Sequence, residues 1–110
     1  MEQKINVYEL FDQVEKIKAE MSELDGRVTG LESGKSIVKS IMMKKSSEQS
    51  LGAQEREAYA SEEYRSHCEK LDEAVARRAL LKTEYALIQM KFEAWRSMQA
   101  TNRALDRMTQ

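Results

Sequence analysis

From Val7 to Leu31 the apolar positions keep a strict heptad. Val7, Leu10, Val14, Ile17, Met21, Leu24, Val28 and Leu31 follow one another at spacings of 3, 4, 3, 4, 3, 4 and 3. Such a repeat lays a seam along a helix that stays dry only against another helix. It predicts a first helix over about 4–45 that needs a partner helix, in its own chain or in another copy. After Leu31 the seam loses phase, with Lys35 at the next a position. Gly34 is the expected kink in this helix, because glycine weakens a helix interior.

Ser and Gly cluster over 46–52, which predicts the loop, and Ser46 with Gln49 has the spacing of a capping box. A second helix is expected over about 53–108. Its seam runs through Tyr64, His67, Leu71, Ala74, Arg78, Leu81, Tyr85, Ile88, Phe92 and Trp95. A neighbouring stripe holds Cys68, Val75, Leu80, Leu87 and Ala94, and past Trp95 the apolar positions shift to Met98, Leu105 and Met108. This face is wider than a two-stranded seam requires. The expected architecture is therefore all-α: one long antiparallel helical hairpin (a coiled coil) forming a single domain and assembling into an oligomeric bundle. A homodimer or homotetramer is the simplest such assembly.

Composition agrees with long helices. There is no Pro, Gly occurs four times in 110 residues, and 34% of residues are charged. The charges are blocked. Residues 1–32 carry 8 acids and 4 bases, and 33–47 carry four lysines and no acid. Residues 48–73 carry 8 acids and 3 bases, and 74–110 carry 3 acids and 7 bases. Folding the chain back at 46–52 sets each acidic block beside a basic one. A parallel pairing would set like beside like, which disfavours it.

Little in the chain suggests chemistry. Gly30-Leu31-Glu32-Ser33-Gly34-Lys35-Ser36 resembles a phosphate loop, but three residues separate its glycines instead of four and a helix precedes it. His67 and Cys68 are the only His and Cys, and adjacent residues point to different faces of a helix. They suggest a seam histidine beside a buried thiol, with neither a metal site nor a nucleophilic pair. Carboxylate pairs such as Glu62-Glu63 and Asp72-Glu73 read as a solvated helix face. No enzymatic activity, cofactor, metal or small-molecule substrate is expected. The start, MEQKINVYEL, is charged and reads as neither a signal nor a transit peptide. No apolar run is long enough to span a bilayer. With a single Cys, the expectation is a soluble protein of a reducing compartment.

Two basic sets remain. Lys35, Lys39, Lys44 and Lys45 are interleaved with Ile37, Val38, Ile41, Met42 and Met43. They suit a phosphate backbone, anionic lipid or an acidic partner, or simply neutralise 48–73. Arg96, Arg103 and Arg107, at spacings of 7 and 4, share one helix face. They suit a phosphate backbone, or pairing with Glu9, Asp12 and Glu15 of the first helix.

The stretches Tyr59-Ala-Ser-Glu-Glu-Tyr-Arg-Ser-His67, Phe92-Glu-Ala-Trp-Arg-Ser97 and Arg103-Ala-Leu-Asp-Arg107 resemble the second half of small helical proteins of tailed bacteriophages. Those proteins are encoded in early recombination and replication modules. The resemblance covers the last half of the chain. It implies a phage protein of the host cytoplasm, an accessory to DNA recombination or replication that binds DNA or a DNA-processing enzyme. The other reading is a protein–protein adaptor or inhibitor with no nucleic-acid contact.

Overall fold

The computed structural model describes residues 4–109, and among them it contains three helices and no strand. Helix α1 spans Val7–Lys45, α2 spans Leu51–Tyr59 and α3 spans Glu62–Thr109. The chain divides into two compact units, Ser22–Ala79 and the residues on either side of it. In each unit the helix pairing is antiparallel.

In the unit built from the start of α1 and from Leu80 onward, Phe11 meets Phe92 with ring centroids 5.2 Å apart. The Lys18 ammonium sits 4.7 Å over the Tyr85 ring. Seven residues forward on α1 thus correspond to seven residues back on α3. Leu10, Ile17, Leu81 and Ile88 are its buried core, and Leu81 is only 1% exposed. Val7, Val14, Met21, Tyr85, Phe92 and Trp95 flank that core half-buried.

In the unit Ser22–Ala79, partners on α2 and α3 fall in number as those on α1 rise. Asp25 pairs with Arg78 at 3.3 Å, and Lys39 with Glu55 at 2.8 Å. The first pair joins the first and last charge blocks, and the second joins the two middle ones. Leu24, Val28, Ala58, Leu71 and Ala74 are buried here, and Leu31 is half-buried.

The helix ends follow side-chain capping. Asn6 Oδ1 accepts from the backbone N–H groups of Tyr8 and Glu9 and starts α1. Ser50, and not Ser46, caps α2: its hydroxyl accepts from Ala53 N–H at 3.2 Å. The loop is therefore 46–50, and Gly52 lies inside a helix. Ser46 accepts from Glu48 N–H and donates to Glu57 at 2.7 Å, tying the loop to α2.

One expected element differs. The second helix is broken at Ala60–Ser61. There the Ser61 hydroxyl accepts from Tyr64 N–H and donates to the Ala58 carbonyl. This starts α3 with Glu62 and Glu63 in its first turn, where carboxylates favour the helix dipole. Gly34 does not interrupt α1, which runs unbroken through it with no positive φ. The glycine provides space instead. A Cβ there would lie 2.8 Å from Cε1 of His67, whose Nε2 donates to the Leu31 carbonyl at 2.6 Å.

Gly34 and His67 are thus coupled. In a His67→Ala background, Gly34→Ala is expected to stabilise the protein by about 1 kcal/mol through helix propensity. With His67 present the gain is expected to vanish or reverse, because the ring must leave its hydrogen bond. A double-mutant cycle by urea denaturation measures the difference; equal effects in both backgrounds refute the coupling. Leu81→Ala is expected to cost about 2–5 kcal/mol in the same assay, whereas the half-exposed Leu87→Ala costs far less.

Candidate interaction site

The antiparallel register gathers aromatic residues that lie far apart in sequence. The chain has seven aromatic residues (four Tyr, two Phe, one Trp). Five of them, Tyr8, Phe11, Tyr85, Phe92 and Trp95, line one open groove of about 540 Å³. Val7, Gln89, Glu93 and Arg96 complete its lining. Tyr8 is 78% exposed and Phe11 53% exposed, so the groove is uncovered. Helical geometry explains the opening. Val7, Leu10 and Val14 turn into the seam, whereas Tyr8 and Phe11 lie on a flanking face of α1. On α3, Gln89, Glu93 and Arg96 flank the seam in the same way. Arg96 donates to Glu93 at 3.2 Å along the helix.

Phe92 and Trp95 serve as the seam anchors that their spacing suggests, and they also form the groove's wall. Tyr8 and Phe11 were not legible as site residues. The signal that would have found them is the crowding of aromatics into 8–11 and 85–95, two stretches that an antiparallel hairpin superposes.

The four lysines of 33–47 do not form one open patch. Lys39 is occupied: its ammonium reaches Glu55 and lies 4.9 Å over the Tyr59 ring. The Glu55 hydrogen bond, and after it Tyr59, hold Lys39 well above its ordinary range, against a smaller opposing effect of burial. Lys35 pairs with Glu32 at 3.6 Å within α1. Lys44 and Lys45 stand exposed in the last turn of α1, where cations favour the helix dipole. Lys44 borders a shallow apolar hollow with Ile37 and Ile41.

The arginine face divides in a similar way. By the register of Phe11 with Phe92, Arg96 lies opposite Val7, where α1 begins. Arg103 and Arg107 lie farther along α3 and are exposed. They are out of reach of Glu9, Asp12 and Glu15 of their own chain, so that pairing is not formed.

His67 and Cys68 are both half-buried, and His67 is engaged with Leu31. Tyr64 stacks edge-on against Tyr59 at 5.2 Å. Burial, together with the Cys68 thiol beside it, pushes the Tyr64 phenol above its ordinary range. Among the described residues no group of three or more His, Cys, Asp or Glu is placed to hold a metal ion. Among the same residues no helix is long and apolar enough to cross a membrane. No protein-family model, curated protein or solved structure matches the chain.

Lys39 and Tyr64 are two groups whose raised proton affinity ties local contacts to alkaline pH. Both groups hold their protons more tightly folded than unfolded. Their contribution is complete below the ordinary values of 10.5 and 10.0, and is lost as pH rises through the higher folded values. The melting-temperature difference between wild type and Lys39→Met is therefore expected to be flat from neutral pH to the ordinary lysine value and to shrink above it. A difference that stays unchanged as pH rises well past the ordinary lysine value refutes the Lys39–Glu55 account.

Proposed function

We propose that this protein is a non-enzymatic, self-associating helical adaptor that works by offering helix faces to other proteins. The observation that carries this reading is a second apolar stripe on α3. Leu80, Leu87, Met90, Met98, Leu105 and Met108 are all exposed. Leu80, Leu87 and Ala94 follow at sevens, then Met98, Leu105 and Met108 at 4, 7 and 3. This stripe lies on the side of α3 away from the aromatic groove. α1 does not cover it, although its period is that of a helix-pairing face.

DNA contact is a second reading. Lys44, Lys45, Arg103 and Arg107 favour it, because they are exposed and have no acidic partner among the described residues. The resemblance to phage recombination and replication proteins supports it as well. In that setting the adaptor's partner is a DNA-processing protein in the host cytoplasm.

Sedimentation at micromolar concentration is expected to give a mass above that of one chain; a monomer throughout removes self-association. A tagged chain is expected to retain a protein partner that Leu87→Glu/Leu105→Glu does not, and equal retention by both forms removes the stripe. In a gel-shift series with duplex DNA we expect no complex. A shift that weakens steeply with rising salt and is lost in Arg103→Gln/Arg107→Gln replaces the adaptor reading with DNA binding.

A further inference from the structure

Beyond Arg96, residues 97–109 of α3 face no other helix among the described residues, and all of them are exposed. The groove that precedes them is uncovered. Gln89, Glu93, Arg96, Ala100, Arg103 and Arg107 follow one another at spacings of 4, 3, 4, 3 and 4, a second heptad along the groove side of α3. Its first three members line the groove and its last three lie past the start of α1.

We propose that the groove is filled by the 97–109 stretch of a second copy of this chain, in a reciprocal two-fold pairing of α3 with α3. The inference rests on the self-association proposed above and names its surface. Charge complementarity within the stripe carries it. An antiparallel two-fold pairing sets Glu93 opposite the second copy's Arg103, Gln89 opposite its Arg107, and Arg96 opposite its Ala100. Each contact occurs twice. No like charges meet, and the small Ala100 leaves room for the long Arg96. Sliding by one heptad sets Arg107 against Lys82 in one direction and against Arg96 in the other. A parallel alignment sets Glu93 against Glu93 and Arg96 against Arg96. Of these alignments, only the first brings no like charges together.

The aromatic lining suits the same occupant. An arginine at the level of Glu93 reaches the side of the groove where Tyr8 and Phe11 stand. A guanidinium stacks on such faces while its donors bond a carboxylate. Glu93, already bonded to its own Arg96, then lies between two cations. Pairing also covers Tyr8 and Phe11.

Equilibrium sedimentation of charge variants tests the pairing, with circular dichroism as the check on helix content. Glu93→Arg and Arg103→Glu are each expected to weaken self-association by about tenfold or more. Combined in one chain, they recreate the pair with its charges exchanged and are expected to recover most of it. A chain ending after Arg96 is expected to remain helical and to be monomeric. If wild type associates and all these variants associate equally, another surface joins the copies. The inference is then overturned while self-association stands. If wild type is monomeric, the reading of self-association fails and this inference fails with it. If Arg103→Glu abolishes DNA retention while leaving association unchanged, the arginines face phosphate and the pairing is likewise overturned.

Discussion

Everything in this protein depends on keeping the α1 seam dry. Eight apolar side chains along 25 residues of one helix (Val7 to Leu31) must leave water together, because a heptad stripe has no other way to be buried. In both units the covering helix comes from the same chain and runs antiparallel. Each unit takes its innermost residues from both partners: Leu10 and Ile17 with Leu81 and Ile88 in one, Leu24 and Val28 with Leu71 and Ala74 in the other. With only 6% aromatic residues the core is a narrow line of aliphatic side chains. The chain supplies two helix faces and no more, so wide areas of α3 stay exposed.

Antiparallel pairing is also what the charges favour. Asp25 with Arg78 and Lys39 with Glu55 each join an acidic block to a basic one. Exposed pairs of this kind contribute little individually, typically under about 1 kcal/mol. Their value lies in excluding the parallel alternative, which the apolar seam alone does not exclude. The proposed pairing of α3 with α3 extends the same logic, since Glu93 and Arg103 on the groove side of that helix carry opposite charges. Electrostatics here selects among arrangements that hydrophobic burial makes favourable.

The helices and their seam were readable because a 3.5-residue period leaves a regular trace. All eight residues of the α1 seam are buried or half-buried. What escaped sequence reading depends on single side chains and on long-range juxtaposition. The break at Ala60–Ser61 comes from one serine hydroxyl, and composition around it still reads as helix. Gly34 looks like a flexible point until His67, thirty-three residues away, is seen to occupy the space where its Cβ would be. Lys39 reads as part of a basic patch until Glu55 and Tyr59 are brought to it. Tyr8 and Phe11 are off-period residues of α1, and only the register with α3 turns them into a site.

The central claim is that α1 finds its partner within its own chain. Spin labels at positions 11 and 92, in a Cys68→Ser background, test this directly by pulsed electron spin resonance. The account predicts a short separation, set by the roughly 8–10 Å helix spacing plus the label arms. That separation must persist when labelled chains are diluted into excess unlabelled protein. A short distance that disappears on dilution would show that α1 pairs between chains and would contradict the account.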